Sequence, residues 1–448
     1  MNLSFVIRLW NIRILFFFYV LLYLSCSDSD DQPNLQKRVY ISETDLGYQL
    51  IKDGTPFYVK GACVGDGYWE VFKAAGGNTI RLYDTTAIRN KLDLADSLGL
   101  LVAVDIPIPR YSANHSPYDD PHQMQEYTAN IIELVTTNRE HPALLFWSLG
   151  NEVHHPDPFK GQEFFSQFNE WIALVHELDP NHPITSPIPG MSRLRTLSML
   201  WRSEGLDFFS FNIFGSINSI ETRIRSLSTF WKGPFMITEW GINGPWESEE
   251  ITTWGAPIEQ TSTKKAEQYK ARHQRMKKLN LGRLMGDFVF YWGQKEERTP
   301  TWFNAFSPRG NRTQVVHEVS NFLNNKDSKF SGPQLGFITL EKLGAPSSII
   351  LSPDVPVIAR IHEASTISGQ LIPKWEIRPE HWQNGLGGKG PTTPVIPTNF
   401  STLNPQEVNF RTPEHEGPYR LYLFLENGEG QEAQANIPFY ILSPNNAE

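Results

Sequence analysis

The sequence predicts an α/β fold, a (β/α)8 TIM barrel followed by a small C-terminal β-sandwich. Eight apolar runs of strand length recur between residues 57 and 293, and segments with helical periodicity separate them. One such segment places five apolar side chains on one helix face: Phe164, Phe168, Trp171, Val175 and Leu178. After about residue 330 the pattern changes to short β-prone runs with frequent Pro and Gly. Eight alternating units match the length of a barrel, and the later runs indicate a second, all-β domain.

The N-terminus has the pattern of an export signal. Arg8 and Arg13 precede an apolar run over residues 14–25, which is shorter than the ~20 residues that span a membrane. The sequence CSDSDD that follows resembles the processing site of bacterial lipoproteins, which implies lipidation of Cys26. We therefore expect a signal peptide over 1–25, an acidic linker over 26–38, and an exported lipoprotein in the outer membrane or at the surface of a Gram-negative bacterium. Plain secretion or an uncleaved anchor is the alternative.

The predicted barrel domain covers residues 39–328 and the β-sandwich residues 329–448. The barrel domain opens with a hairpin in YQLIKDGTPFYVKG, where Asp53-Gly54 supplies the turn. An open doubly wound sheet competes with the barrel, but GACVGDGYW lacks the glycine turn for phosphate that such a sheet usually carries. The segment GLGGKG at 385–390 runs into Pro instead of a helix, so we interpret it as a loop. The run GPYRLYLFLENGEGQ resembles the last hairpin of immunoglobulin-like modules.

Composition argues against several classes of function. The formal net charge is −9 without a basic stripe, so we expect no nucleic-acid partner. Cys63 is the one cysteine besides Cys26, which excludes an internal disulfide framework and a multi-cysteine zinc site. No H-E-x-x-H motif occurs, and we expect neither a metal nor a cofactor. The membrane is expected to be a partner through the lipid anchor alone, and the oligomeric state stays open.

Polar side chains end two of the predicted barrel strands. Asn151 and Glu152 follow LLFWSLG at strand four, and Glu239 lies in PFMITEWG at strand seven. The two glutamates are 87 residues apart, or three βα units of 29 residues each, so both fall at strand ends. The carboxyl ends of barrel strands form the mouth where barrel enzymes carry their chemistry. Two carboxylates facing each other about 5–5.5 Å apart are what retaining glycoside hydrolysis uses.

SLGNE and ITEWG resemble the strand-four and strand-seven motifs of the clan A glycoside hydrolases, which are retaining (β/α)8 enzymes. SLGNE and GLLVAVDIP are most similar to the family 2 barrel of β-galactosidases and β-glucuronidases, while VKGACVG and NTIRLY resemble cell-wall β-glucanosyltransferases. The resemblance covers about residues 57–324. The barrel is expected soon after the anchor, without the two β-domains that usually precede it in family 2. The substrates of family 2 enzymes are therefore a poor guide to the substrate of this chain.

The resemblance implies roles for individual residues. Glu152 would be the general acid/base and Glu239 the nucleophile, with Asn151 contacting the sugar 2-hydroxyl. The resemblance also implies that Arg81 orients the nucleophile and keeps it ionised. Trp292 would form the floor of the subsite that binds the cleaved sugar. Phe214 stands where many clan A enzymes carry a tyrosine that hydrogen-bonds the nucleophile; Asn212 or a group on another loop would replace that tyrosine.

We therefore predict a retaining β-glycosidase that hydrolyses the O-glycosidic bonds of a β-linked glycan by double displacement. A transglycosylase of the same fold is one alternative, and a non-catalytic glycan-binding surface lipoprotein is another. The sugar, the linkage, the choice between endo and exo attack, and the role of the C-terminal domain stay open at this point.

Overall fold

The first described part of the chain is a three-stranded antiparallel sheet. The computed structural model describes residues 38–114, 116–279, 282–367, 369–380 and 393–443; the predicted signal peptide, Cys26 and the loop at 385–390 lie outside them. The sheet contains β1 (Val39–Thr44), β2 (Gly47–Lys52) and β3 (Thr55–Phe57). Lys52 pairs with Thr55, and Asp53 and Gly54 both have positive φ, at 47° and 77°. This is a two-residue hairpin turn, so the predicted hairpin is confirmed.

The barrel sheet follows. Its strands are β4 (Val59–Val64), β5 (Thr79–Leu82), β6 (Leu101–Ile106), β7 (Leu144–Leu149), β8 (Ile184–Thr185), β9 (Pro187–Pro189), β10 (Phe209–Ile213), β11 (Phe235–Trp240) and β12 (Leu284–Trp292). Neighbouring strands pair in parallel in the order β8-β7-β6-β5-β4-β12-β11-β10-β9. β4 pairs with β12, so the first and last units are neighbours, as in a TIM barrel.

The predicted fifth strand, PITSPI, is divided into two pieces. β8 pairs with β7 and β9 pairs with β10, while Ser186 lies between the two pieces. Pro187 and Pro189 have no backbone N–H, so this segment cannot donate a continuous ladder of hydrogen bonds. The eight predicted units are therefore confirmed, with the fifth strand interrupted.

In the described residues each barrel unit is followed by a helix, as the alternation predicted. The helices are α1 (Trp69–Ala74), α2 (Ile88–Ser97), α3 (Pro121–Asn138), α4 (Gln162–Leu178), α5 (Arg193–Arg202), α6 (Ile220–Leu227), α7 (Ser262–Lys277) and α8 (Gln314–Leu323). The predicted apolar face of α4 is buried at Phe164, Phe168, Trp171 and Val175 and partly buried at Leu178. No helix within the described ranges combines the length and the apolar character needed to cross a bilayer.

The C-terminal strands form two four-stranded sheets with a shared apolar core, which confirms the predicted β-sandwich. The strands are β13 (Phe337–Leu340), β14 (Ile349–Leu351), β15 (Pro356–His362), β16 (Ile372–Pro379), β17 (Ser401–Asn404), β18 (Glu407–Arg411), β19 (Gly417–Glu426) and β20 (Glu432–Ile441). The sheet orders are β13-β15-β18-β17 and β14-β20-β19-β16. β19 and β20 pair along their whole length, as the last predicted hairpin requires. β14 adds to β20 in parallel, which the sequence did not predict.

Polar contacts join the barrel to the sandwich within one compact unit that begins at Arg38. Arg420 on β19 is fully buried and donates to the Pro257 carbonyl on the barrel side. Near the barrel mouth, Glu296 accepts hydrogen bonds from the backbone N–H of Thr393 at 3.0 Å and from its hydroxyl at 3.1 Å. The C-terminal part of the chain therefore holds the segment that follows β12.

Candidate active site

The ends of five barrel strands bring polar side chains together at one point of the barrel interior. Arg81 comes from β5, Asp105 from β6 and Asn212 from β10, while Glu239 comes from β11 and Asn151 follows β7. All but Asn151 are buried. Apolar positions on the same strands pack into the core, so the backbone of each strand fixes where its polar end points. The residues predicted from the two glutamate motifs thus share one site.

Arg81 lies at the centre of this cluster and its guanidinium is fully buried. It binds Asp105 with two hydrogen bonds, from Nε at 3.0 Å and from Nη2 at 2.8 Å. Nη1 donates to Glu239 Oε1 at 3.1 Å, and Nη2 donates to Asn151 Oδ1 at 2.9 Å. Arg81 therefore contacts the predicted nucleophile directly, in the place that the family resemblance implied. Because a guanidinium holds its donors in a fixed plane, these contacts orient the Glu239 carboxylate.

Asn212 connects the two glutamates, but it does not replace the missing tyrosine. Its Nδ2 donates to Glu152 Oε1 at 2.9 Å and to Asn151 Oδ1 at 3.0 Å, and its Oδ1 accepts from the Thr238 hydroxyl at 2.9 Å. It makes no hydrogen bond to Glu239 among the described contacts. The expectation that Asn212 substitutes for the strand-six tyrosine is therefore corrected: the amide holds Glu152 instead.

Tyr83 supplies the hydrogen bond that Phe214 cannot make. Its hydroxyl donates to Glu239 Oε1 at 2.9 Å, and its ring lies 4.6 Å from the Arg81 guanidinium carbon. Tyr83 is the last residue of the segment TIRLY, one residue past the end of β5. The family resemblance did not indicate Tyr83, because the corresponding tyrosine of clan A enzymes lies on strand six. Its spacing of two residues from Arg81, which puts both side chains on one face of the strand, was the available signal.

Burial dominates the ionisation of Glu239. Loss of solvent raises the pKa of this carboxyl to about 8, while Arg81, the Tyr83 hydroxyl and Lys295 lower it and the charge of Glu152 raises it. The family resemblance implied that Arg81 keeps the nucleophile ionised by lowering its pKa. Arg81 lowers the pKa as expected, but its single positive charge is shared with Asp105, so burial prevails.

Glu152 leaves β7 in an unusual backbone conformation. It has a φ of 48°, and Gly150 before it has a φ of 71°. A non-glycine residue in the left-handed region stores strain that the surrounding contacts must hold, and such residues concentrate at functional sites. The hydrogen bond from Asn212 is one of these contacts. The turn aims the carboxylate of Glu152 into the barrel mouth instead of continuing the strand.

Both glutamates line one cavity of about 970 Å³ at the carboxyl ends of the strands. One part of its wall consists of acidic and amide side chains, including Asp105, together with Tyr83. Aromatic side chains form another part, namely Phe214, Trp246, Phe290 and Tyr291. The cavity combines apolar surface with a few convergent polar groups, which is the usual composition of a site that binds an organic ligand.

The structure corrects the role predicted for Trp292. Its side chain is completely buried, its indole N–H donates to the Tyr68 carbonyl at 3.1 Å, and it does not line the cavity. The register between β12 and β4 shifts, so that Val289 pairs with Ala62 but Trp292 pairs with Val64. The extra residue reverses which side chains face the barrel mouth, and simple alternation along the strand therefore gave the wrong residue.

The described residues contain no group of three or more His, Cys, Asp or Glu side chains that could hold a metal ion. Cys63 lies under the site, buried, with its thiol donating to the Thr238 carbonyl at 3.3 Å. His155 is buried against the Ser186 hydroxyl at 3.1 Å, and burial lowers the pKa of its imidazole to about 3. Both side chains have structural partners, and we assign neither to catalysis.

Residues 70–243 match the TIM barrel domain of the family 2 glycosyl hydrolases. Both glutamates, with Arg81 and Tyr83, lie inside the matched segment. This segment of the barrel is therefore similar to the barrel of the family 2 glycosyl hydrolases. The resemblance seen in SLGNE and ITEWG is therefore confirmed.

Curated relatives of this chain carry names of two activities. A β-glucuronidase of Bacteroides fragilis is 28% identical over 176 residues, which are 36% of this chain and 24% of that protein. A β-galactosidase of Bacteroides ovatus is 23% identical over 200 residues, which are 38% of this chain and 22% of that protein. The matched segments thus span about a quarter of these relatives.

Solved structures share the fold. A β-glucuronidase of an uncultured Clostridium species superposes with a TM-score of 0.51 at 15% identity, covering 64% of this chain and 53% of that one. The β-glucuronidase 2 of Bacteroides uniformis gives a TM-score of 0.50 at 14% identity, covering 90% of this chain and 48% of that one. The chain thus spans about half the length of these structures.

Proposed function

We propose that this chain is a retaining β-glycosidase that hydrolyses a β-linked glycan or oligosaccharide by double displacement. One observation carries the proposal: Glu239, held by Arg81 and Tyr83, lines the same cavity as Glu152, which Asn212 holds. Two carboxylates with different environments at one barrel mouth suit the two different roles that the mechanism needs. The match of residues 70–243 to the family 2 barrel supports the same reaction.

In the first step the Glu239 carboxylate attacks the anomeric carbon and the bond to the leaving oxygen breaks. Glu152, as the carboxylic acid, gives its proton to that oxygen, and a covalent glycosyl-enzyme forms with inverted configuration. In the second step Glu152, now the carboxylate, takes a proton from water. The water oxygen attacks the anomeric carbon, Glu239 leaves as the carboxylate, and the product regains the β configuration.

The surrounding hydrogen bonds fit these steps. Arg81 and Tyr83 both donate to Glu239 Oε1, so they stabilise the carboxylate both before attack and when it leaves. Asn151 accepts through Oδ1 from Arg81 and Asn212, which fixes its amide. Among the described contacts its Nδ2 donates to no protein group, and we assign that amide to the 2-hydroxyl of the sugar.

The names of the relatives give two candidate sugars, β-glucuronides and β-galactosides. The first experiment is a panel of 4-nitrophenyl β-D-glycosides that includes both, followed by proton NMR of the product formed first. We expect the β anomer to appear first on the accepted sugar. Appearance of the α anomer first would overturn double displacement, and added sugar acceptors would reveal transglycosylation as a lengthened product.

Substitutions distinguish the roles of the two glutamates. Glu239→Gln should abolish turnover on every substrate, because no activated leaving group replaces the nucleophile. Glu152→Ala should lose roughly 10²–10⁴-fold of its activity on natural glycans. It should still form the glycosyl-enzyme from a dinitrophenyl glycoside, and azide should then release the sugar from this intermediate as the β-azide. Glu177→Gln on α4 is the control and should keep activity. Azide rescue of Glu239→Ala as the β-azide would show the roles reversed, and binding without hydrolysis by the wild type would show a glycan-binding protein.

We also propose that the chain is an exported lipoprotein anchored through Cys26. The proposal is supported by the apolar run at 14–25 and the acidic segment CSDSDD directly after it. Cys26→Ser should release the protein from the membrane fraction, while Cys63→Ser should leave its location unchanged. A Cys26→Ser protein that stays in the membrane pellet would contradict lipidation.

A further inference from the structure

The largest exposed aromatic surface in the catalytic cavity belongs to Trp246. This tryptophan lies in a short 3₁₀ turn, Pro245–Glu247, after β11, and its side chain is 48% exposed. The catalytic steps proposed above do not use it. An exposed indole beside two catalytic carboxylates raises the question of what covers it when a ligand is bound.

One face of the indole rests on backbone. A Cβ added to Gly244 would lie 2.4, 2.4 and 2.7 Å from three adjacent ring atoms of Trp246, so the Gly244 backbone lies directly under the ring. The ring also has two aromatic neighbours, with centroid distances of 5.5 Å to Phe214 and 6.0 Å to Phe303. Trp246 stays 48% exposed although these groups pack against it, and it lines the cavity.

The turn that carries the indole is held rigidly. The Glu247 carboxylate accepts from the backbone N–H of Gly244 at 3.0 Å and of Gly215 at 2.8 Å, which ties the loops after β11 and β10 together. Trp302 donates its indole N–H to the Asn243 carbonyl at 3.0 Å. A surface whose position is already fixed loses little conformational entropy on binding, so it favours recognition of a flat partner.

We propose that Trp246 is a stacking platform for a second sugar ring, next to the ring whose bond is cleaved, and that it makes the site select β-linked oligosaccharides over monoglycosides. Sugar rings have apolar C–H faces that match an exposed indole face by burial and stacking. Among the described contacts the Trp246 indole N–H donates to no protein group, so it is available to a sugar hydroxyl. The cavity of about 970 Å³ lies at the upper end of the ~300–1,000 Å³ typical of ligand sites, which leaves room for more than one ring.

The inference rests on the proposed function, and its test compares substrates that fill the site to different extents. A glycosyl fluoride carries no second ring, whereas a tetrasaccharide does. For a galactosidase the pair is β-D-galactosyl fluoride and β-1,4-galactotetraose; for a glucuronidase it is β-D-glucuronyl fluoride and the glucuronate-terminated hyaluronan tetrasaccharide. We expect Trp246→Ala to lower kcat/KM about tenfold more for the tetrasaccharide than for the fluoride.

Two further variants sharpen the comparison. Gly244 has φ −71°, which alanine adopts without strain, so Gly244→Ala should displace the indole while leaving the backbone in place and should show the same substrate selectivity in its loss. Trp201→Ala removes a tryptophan that is 62% exposed on α5, outside the cavity, and should change neither kcat/KM. Equal losses on the two substrates, or no loss on the tetrasaccharide, would overturn the proposal.

A binding experiment distinguishes failure of this proposal from failure of the proposed function. Affinity electrophoresis in gels that contain soluble β-1,4-galactan, barley β-glucan or xylan requires no catalysis. Wild type and Trp201→Ala should be retarded by at least one glycan, and Trp246→Ala should be retarded less. Retardation that is the same for Trp246→Ala, or that no glycan produces for the wild type, would count against the platform even if no hydrolysis is ever detected.

Discussion

At the scale of single residues, the distribution of charge around Arg81 decides the properties of the site. One guanidinium faces the carboxylates of Asp105 and Glu239, and Glu152 adds a further acidic group nearby. Burial raises the pKa of Asp105 as well as that of Glu239, since neither has the cation to itself. Each hydrogen-bond donor to Glu239 therefore favours the ionised form of its carboxyl.

The variant Tyr83→Phe tests whether a hydrogen-bond donor changes the ionisation of Glu239. The Tyr83 hydroxyl donates to Glu239 and lowers the pKa of that carboxyl, so its removal raises the pKa above about 8. In the proposed mechanism Glu239 attacks as the ionised carboxylate, so activity should fall as pH drops through this pKa. We expect the acid limb of the kcat/KM–pH profile to move upward by about one pH unit, which corresponds to ~1.4 kcal/mol of lost hydrogen-bond free energy.

The control for this shift is Tyr118→Phe, which removes a buried hydroxyl that donates to the Pro109 carbonyl at 2.7 Å. It should lower the free energy of unfolding without moving the acid limb. An acid limb that stays in place in Tyr83→Phe, or that moves equally in both variants, would show that Tyr83 does not tune the nucleophile.

At the scale of secondary-structure elements, turns fix where the strands begin. The turn between β2 and β3 uses positive φ at both central residues, and no atom lies within 4 Å of the Cβ position of Gly54. The conformation of Gly54 therefore requires glycine for backbone reasons alone. The sheet this turn closes also contacts the barrel, since the Val39 N–H donates to the Asn181 carbonyl at 2.9 Å.

We expect Gly54→Ala to lower the free energy of unfolding by about 1 kcal/mol, because alanine at φ 77° is strained. Gly67→Ala is the matched control: its Cβ position is equally open and its φ is not positive, so stability should change by less than ~0.5 kcal/mol. Urea unfolding of both variants gives the comparison. Equal stabilities would mean that the turn relaxes to a different type.

At the scale of the whole molecule, the β-sandwich is attached to the barrel by buried polar groups. Arg420 has no exposed surface and donates to Glu380 at 2.6 Å and to Asn436 at 2.6 Å, as well as to the barrel-side Pro257 carbonyl at 2.9 Å. Thr393 binds Glu296, which lines the cavity. The sandwich therefore supports the barrel segment after β12, beside the site, instead of forming an independent module.

Arg420→Met tests how much this attachment contributes to stability. Removing the cation breaks the buried ion pair between Arg420 and the Glu380 carboxylate, and we expect a loss of about 3–5 kcal/mol in the free energy of unfolding. The double variant Arg420→Met/Glu380→Leu should lose less than the single one. Arg411→Met breaks the exposed pair with Asp354 and should cost under ~1 kcal/mol. A single variant no less stable than the double one would show that the ion pair carries no coupling.

The sequence by itself determined the barrel, the sandwich and the two glutamates at one mouth. Apolar periodicity and strand spacing are local properties of the chain, and they fix the end of the barrel to which Glu152 and Glu239 belong. Asn151 and Arg81 followed from motifs next to those strands, and the structure places both within hydrogen-bonding distance of the cluster.

Tertiary structure alone decided which other side chains reach the site. Tyr83 replaces the strand-six tyrosine because β5 lies across the barrel from Glu239, a contact between residues 156 positions apart. Trp292 turns away because an extra residue on β12 shifts its register against β4. The pKa of Glu239 depends on how Arg81 divides its charge between two carboxylates under burial. Each is set by packing between distant segments, which periodicity within one strand does not encode.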